Sequence, residues 1–300
     1  MPAPLMGYLR LARPANLPTA AADILAGLAI AGVLGADFQP GSPDLSSLLR
    51  VLWLLPASVC LYAGGVVFND VFDAKLDRVE RPERPIPSGM VTVTAAAVYG
   101  GVLLLLGVGL GFMVHPFSGY IALLLLFAIL MYDAYFKKFS FLGPLTMGLC
   151  RGLNLILGIS ALGSLQDGWY ALIPVAYIFA ITLISRGEVH GKNKKQIIWA
   201  AFLYALVIFS VLFMVIMHPR HIFQVLAVLV LFAILLFVPL VKAYRVNNAA
   251  NIRNAVKAGV LSLIVLDAAI ALNFTPWWYG FLILLLWPVS RLLAALFPVT

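Results

Sequence analysis

Charge is what this sequence has least of. Only 11% of its 300 residues are Asp, Glu, Lys or Arg, against about 25% in an ordinary soluble domain. Hydrophobic residues make up 63%, more than a soluble fold could hide. This balance excludes a soluble enzyme and a disordered chain. Cysteine is scarce too: Cys60 and Cys150 both lie in apolar runs. They read as small buried residues, which excludes a secreted disulfide scaffold. The formal net charge of +8 fits a nucleic-acid binder or a membrane protein with basic cytoplasmic links, and the hydropathy selects the second. The expected fold class is therefore all-α, a polytopic transmembrane helical bundle whose surroundings are the lipid bilayer, with no nucleic-acid partner.

A helix that crosses a bilayer needs about 20 mostly apolar residues. Ten runs qualify, near 17–37, 48–69, 92–114, 118–136, 142–163, 168–185, 197–217, 221–241, 254–273 and 276–297. Basic residues mark every second link: Arg10 and Arg13, then Lys75 to Arg84, Lys137 and Lys138, Arg186 to Lys195, and Lys242 to Lys257. These links hold sixteen of the twenty Lys and Arg residues. By the positive-inside rule they face the cytoplasm, and ten spans put both termini there. The whole chain, 1–300, reads as one integral membrane domain with no soluble part. The first run does not read as a cleavable signal, since it lacks a convincing cleavage site and more spans follow it. A bacterial inner membrane is the expected location.

Acidic residues number twelve, and five of them fall within fourteen positions: Asp70, Asp73, Asp77, Glu80 and Glu83. On a helix, Asn69, Asp73 and Asp77 stack along one face, and Asp70 falls close to it. Three carboxylates on one stripe repel one another unless a cation sits between them. Hard oxygen donors on a rigid face suit Mg²⁺, which shares its shell with substrate phosphates. The competing reading is a solvated helix end partnered by Lys75 and Arg78. Next comes Arg81-Pro82-Glu83-Arg84-Pro85-Ile86-Pro87-Ser88-Gly89. Its three prolines make a stiff loop, and its two arginines could grip a phosphate.

Asn69-Asp70-x-x-Asp73-x-x-x-Asp77 with Arg84-Pro85-x-x-Ser88-Gly89 resembles the first aspartate-rich motif of the UbiA superfamily of intramembrane prenyltransferases. Arg13-Pro14-x-Asn16, just before the first run, is similar to the family's usual start. The resemblance implies nine spans around a central cavity over about 8–273, and makes the tenth run, 276–297, an addition. It implies transfer of a prenyl group from a prenyl diphosphate to an acceptor with Mg²⁺ as cofactor. Asn69, Asp70, Asp73 and Asp77 become expected metal ligands, with the three aspartates, Arg84, Lys137 and Glu188 in the catalytic set. Tyr132-Asp133-x-x-x-Lys137-Lys138 is similar to the ending that family members carry on their fourth span. It makes Lys137 a diphosphate contact and gives Tyr132 and Asp133 supporting or proton-handling roles.

The family places a second aspartate cluster after its sixth span. Here the chain reads Ser185-Arg186-Gly187-Glu188-Val189-His190-Gly191-Lys192. Glu188 fits the first acid and Gly191 the glycine. His190 stands where an acid is common, and Lys192 replaces the last aspartate. Glu188 remains a metal candidate, Arg186 and Lys192 could neutralise diphosphate directly, and His190 could join a softer metal or relay a proton. The wording of both motifs resembles the UbiA-like EboC-type subgroup found in bacteria. The competing reading is a plain basic loop.

A guanidinium inside the bilayer costs several kcal/mol and must face a cavity or an acid. Arg151, with Asn154 one turn on, is expected at the polar floor of the cavity, touching diphosphate or an acid. The competing reading pairs it with Asp23 or Asp133. Asp23 and Asp267, alone in their runs, are expected to face the bundle interior. Tyr62, Phe68, Tyr132 and Tyr135 are candidates for shielding an allylic cation. The acceptor, a small molecule or lipid, and any protein partner are left open. The alternative function is a transporter or lipid-binding protein that keeps the fold without catalysis. A CDP-alcohol phosphotransferase is excluded, because its Asp-Gly-x-x-Ala-Arg signature is missing.

Overall fold

The computed structural model describes residues 3–33, 45–188 and 191–297. Among these residues there is no strand; the chain runs through α1 (Ala3–Leu11), α2 (Leu17–Ile30), α3 (Leu45–Phe72), α4 (Ala74–Glu80), α5 (Val93–Val114), α6 (Pro116–Ala134), α7 (Leu142–Ile159), α8 (Leu172–Ser185), α9 (Lys194–Met217), α10 (Ile222–Arg245), α11 (Ala249–Ala271), α12 (Trp277–Leu284) and α13 (Leu286–Leu296). In hydrocarbon every backbone N–H and C=O must find a partner inside the protein, and a helix does this within one segment. Among the described residues nine helical stretches are long and apolar enough to cross a membrane. Eight of them match the second to ninth expected runs, and the ninth, 277–296, matches the last.

The first expected run behaves differently. Its helix, α2, has fourteen residues, and twelve of them are buried; residues 34–44 lie outside the described residues. Protein rather than lipid surrounds α2, which packs on α3, α7, α11 and α13. Helices adjacent in sequence also pack side by side from α5 to α11, and the row closes on itself through α2 and α3. Backbones approach most closely where glycines face each other. A Cβ on Gly158 of α7 would lie 2.7 Å from the Ile24 carbonyl of α2, and 3.0 Å from the Gly27 Cα. Small residues at such crossings let membrane helices pack by direct contact. Outward positions carry large apolar side chains such as Leu105, Phe209 and Phe223, a surface suited to lipid.

The last expected span is two helices meeting at Leu285. It is tied to α2 and to the turn before it: the Tyr279 hydroxyl donates to the Leu25 carbonyl at 2.9 Å, and the Ser290 hydroxyl donates to the Ala15 carbonyl. The added helix thus holds the short first helix from outside. The 70–91 link is also more ordered than its prolines suggest. It carries α4, and the Asp73 and Asp77 amides donate to the carbonyls four residues back at 3.0 and 2.8 Å. The aspartate segment therefore keeps helical register across the break at Asp73.

Candidate active site

The site stands where α3 runs into α4. A small apolar core of Leu11, Val67, Ala74, Ile86, Val91 and Ala96 fixes the following loop against α1, α3 and α5. Turn hydrogen bonds complete it: the Arg84 amide donates to the Arg81 carbonyl at 3.1 Å and the Ser88 amide to the Arg84 carbonyl at 2.9 Å. Gly89, at φ +79°, supplies a left-handed turn that a side chain would strain. Burying Ile86 and Val91 thus aims Arg84, itself 6% exposed, back at the aspartates.

Each aspartate of the motif is held by a base. Arg84 Nη1 lies 2.7 Å from Asp77 Oδ2 and 3.3 Å from Asp70 Oδ1. Asp70 Oδ1 also meets Arg13 Nη2 at 2.6 Å. Lys137 Nζ, from the turn after α6, reaches Asp73 Oδ1 at 2.6 Å. Asn69 Nδ2 donates to Asp133 Oδ1 at 2.7 Å. Asp70, Asp77 and Asp133 are buried, while Asp73 is the more open acid. Tyr132 lies within electrostatic reach of Asp73, Asp133 and Arg186. The structure therefore brings together Asn69, Asp70, Asp73, Asp77, Arg84, Lys137, Tyr132 and Asp133. The cations that three stacked carboxylates require are here three basic side chains, and among the described residues no three acid, His or Cys side chains converge as a metal cage.

Arg13 is the residue that sequence reasoning left out of the site. Its signal was its place beside Pro14 in the family-like start. Its backbone is left-handed at φ 47° and ψ 65°, a conformation that costs a non-glycine residue about 1–3 kcal/mol and concentrates at functional sites.

Glu188, half-buried, stands apart from the four acids. Burial pushes its carboxyl above the ordinary glutamate range, and the nearby charges of Arg81, Arg253 and Lys257 oppose that shift. Arg186 turns away to donate to the Phe139 carbonyl, and Lys192 is exposed with a left-handed backbone. His190 lies outside the described residues.

Arg151 and Asn154 belong to a different cluster. Arg151 Nε lies 2.7 Å from Asp23 Oδ2. Asn154 Nδ2 donates to the same oxygen at 2.8 Å, and its Oδ1 accepts from Ser58 at 2.7 Å. Asp267 is fully buried close to Asp23. The acid that Arg151 meets is thus Asp23, one of the two partners weighed from sequence. Ser58 precedes Asp70 by twelve residues on one helix, about 18 Å at 1.5 Å per residue. The cluster sits deep among α2, α3, α7 and α11, where it ties four helices, away from the aspartate motif.

The donor set suits a hard divalent cation. Asp70, Asp73 and Asp77 offer oxygen ligands, and Arg84 Nη1 already places a cation between Asp70 and Asp77, where Mg²⁺ chemistry would want one.

The sequence profile of the UbiA prenyltransferase family matches residues 25–256. The chain belongs to that family. Among its relatives, a digeranylgeranylglyceryl phosphate synthase from Saccharolobus solfataricus is 30% identical over 182 residues, a match covering 60% of each chain. The chain thus spans about 60% of the length of that relative. A solved structure of digeranylgeranylglyceryl phosphate synthase superposes with a TM-score of 0.63 at 21% identity, covering 90% of this chain and 98% of that one. A UbiA homologue from Archaeoglobus fulgidus, bound to DMAPP and Mg²⁺, gives 0.64 at 16% identity, covering 96% and 99%. These structural likenesses establish the all-α membrane fold.

Proposed function

We propose that this chain is a membrane-embedded prenyltransferase that moves a prenyl group from a prenyl diphosphate to an acceptor with Mg²⁺ assistance. The observation that carries this reading is the row of Asp70, Asp73 and Asp77, the first and last buried, each charge-paired to Arg13, Arg84 or Lys137. Such a site can exchange partners: its carboxylates serve metal, and its bases serve phosphate. The Archaeoglobus homologue bound to DMAPP and Mg²⁺ supports the same pairing of ligands.

Asp70, Asp73 and Asp77, with Asn69, would hold Mg²⁺ once their basic partners yield to it, and the ion would supply Lewis-acid neutralisation of the diphosphate. Arg13, Arg84 and Lys137 stabilise the same developing negative charge with preorganised cationic donors. Asp133, fixed by Asn69, is placed to take a proton near the reacting end. Tyr132, beside Asp73 and Asp133, offers an aromatic face to an allylic cation, which must be kept from water; of the other aromatic candidates, Tyr62 lies under Arg151 and Phe68 packs on Gly100 of α5. Arg151 and Asn154 act from below, holding α7 against α2 and α3.

The acceptor is of the glyceryl phosphate kind that the relatives' name carries. The departures at His190 and Lys192 favour the EboC-type branch of the family. The unit is the whole chain, a core over 8–273 with the last helix added. The basic links favour a site at the cytoplasmic face of a cell membrane, with both termini on that side.

Incubating purified protein with labelled geranyl diphosphate, a glycerophosphate lipid acceptor and Mg²⁺ tests the reading. Mg²⁺-dependent release of diphosphate with a prenylated product is expected. Absence of both across a panel of prenyl diphosphates and acceptors would instead support a fold kept without catalysis.

A further inference from the structure

A second polar place lies across the membrane from the aspartate motif. Asn247 Nδ2, just before α11, donates to Asn193 Oδ1, just before α9, at 3.1 Å, so both helices start at one end of the bundle. Arg186, earlier in the same link, donates to the Phe139 carbonyl beside Lys137, which ties that end to the motif. α9 has 24 residues, about 36 Å at 1.5 Å per residue. At the far ends of α9 and α11, Met217, His218, Pro219, Arg220, Asn273 and Phe274 line a cleft of about 570 Å³, a size usual for ligand sites.

One wall of the cleft is built around an unmet need. Asn273 is 3% exposed. Its Nδ2 donates to the Ala269 carbonyl at 2.8 Å and to the Ile270 carbonyl at 3.3 Å, which uses both N–H groups. Its Oδ1 is buried and receives no hydrogen bond. Buried polar atoms are nearly always paired, so this oxygen calls for a donor from outside the chain. The neighbouring groups are fixed. His218 Nε2 and the Tyr170 hydroxyl are hydrogen-bonded at 3.0 Å, and the Phe274 ring packs 4.9 Å from the imidazole and 5.5 Å from the Tyr170 ring.

The other wall carries a charge. Of the links at this end, 38–47 and 164–167 hold no Lys or Arg, and 218–220 holds Arg220. The bias that gathers basic residues on the opposite side makes Arg220 stand out. It is exposed, and its Nη1 donates to the Phe274 carbonyl at 3.4 Å, one use among five N–H groups. Among the described residues no ion pair engages it. Beside the cleft, Ile216, Phe223 and Trp277 at the ends of α9, α10 and α12 are exposed, a surface for acyl chains.

We propose that this cleft holds the headgroup of a membrane phospholipid, with its phosphate on Arg220 and its terminal donor on Asn273 Oδ1, and that it therefore selects ethanolamine over choline headgroups. Guanidinium forks suit phosphate oxygens. Both headgroups carry the same phosphate and a positive nitrogen. Ethanolamine offers N–H donors from its ammonium, whereas the trimethylated nitrogen of choline offers none. The site is separate from the aspartate motif and does not depend on prenyl transfer.

The test titrates the detergent-solubilised chain with phosphatidylethanolamine, with phosphatidylcholine of the same acyl chains, and with phosphoethanolamine, reading bound ligand by native mass spectrometry. Geranyl diphosphate with Mg²⁺ is titrated separately. Hydrogen bonds to charged groups are worth roughly tenfold or more each, so phosphatidylethanolamine should bind about tenfold more tightly than phosphatidylcholine. Arg220→Gln, at an exposed position, should weaken both lipids by about tenfold and leave geranyl diphosphate within about twofold. Asn273→Leu should bring phosphatidylethanolamine down to the phosphatidylcholine level. Equal binding of the two lipids by the native chain, or unchanged lipid affinity in Arg220→Gln, overturns the proposal. Phosphoethanolamine binding as tightly as the lipid overturns the membrane source, and a loss of geranyl diphosphate affinity in Arg220→Gln shows a residue that serves the whole fold instead of a separate site.

Discussion

Replacing Arg84 by alanine should unsettle the protein in a way that Mg²⁺ repairs. The Arg84 side chain is 8% exposed, and those of Asp70 and Asp77 are 6%. Removing one partner of a buried ion pair costs about 3–5 kcal/mol, because the other charge is left uncompensated. Asp70 keeps Arg13 at 2.6 Å, but Asp77 loses its ion-pair partner, so the lower end, about 3 kcal/mol, applies. At about 2–4 °C per kcal/mol, the midpoint should fall by roughly 6–12 °C. Mg²⁺ can replace the missing charge between Asp70 and Asp77. In the native protein the ion must first displace the guanidinium, so its stabilising effect there is smaller. At tenfold above its dissociation constant a bound ion adds about 1.4 kcal/mol. The assay is thermal unfolding in detergent, with EDTA and with Mg²⁺. An unfolding midpoint like the native one in EDTA, or equal Mg²⁺ shifts in both proteins, would refute the exchange of partners.

Other perturbations separate site from scaffold. Asp73→Ala should abolish turnover and leave the midpoint nearly unchanged, since Asp73 is the most exposed of the three motif aspartates; retained turnover counts against its metal role. Asp23→Asn should cost about 3–5 kcal/mol by stranding Arg151, and Arg151→Met on top of it should restore part of the loss, as read from a double-mutant cycle; strictly additive losses would contradict the pairing. Gly158→Leu should lower the yield of folded protein, since a Cβ there meets the Ile24 carbonyl at 2.7 Å and overpacking costs about 1–3 kcal/mol or more; a native midpoint would show that α2 and α7 are farther apart. Glu188 titrates above the ordinary glutamate range, so the native chain should be most stable, relative to Glu188→Gln, below that range and lose the advantage as pH rises. A difference that grows with pH would reverse the sign and point to a closed ion pair.

Much of this architecture can be read from the chain because the bilayer imposes one demand. Backbone groups must be satisfied within each segment, so apolar length reports helices directly, and eight long helices fall on expected runs. The short α2 escapes that logic. Its apolar residues face neighbouring helices through Gly27 and Gly158, and hydropathy cannot distinguish a protein-lined helix from a lipid-lined one. The aspartate stripe was legible because helical register persists through Asp73. Its pairing was not: Arg13 lies 57 positions from Asp70, a separation no local spacing encodes. Arg151 shows the same limit, since its place inside a span announced an acid partner while the choice of Asp23 depended on the crossing of α2 and α7. The charges near Glu188 come from two distant segments, Arg81 after α4 and Arg253 and Lys257 on α11, separations that no local spacing encodes.

Manganese resonance offers the most direct measurement of the account. Mn²⁺ can stand in for Mg²⁺ on oxygen ligands, and its electron spin senses phosphorus bound through oxygen. With geranyl diphosphate present, the native protein should show ³¹P coupling to a bound Mn²⁺, and Asp73→Ala should lose it. A Mn²⁺ spectrum indifferent to geranyl diphosphate, or one that survives Asp73→Ala unchanged, would contradict the claim that these aspartates join metal to diphosphate.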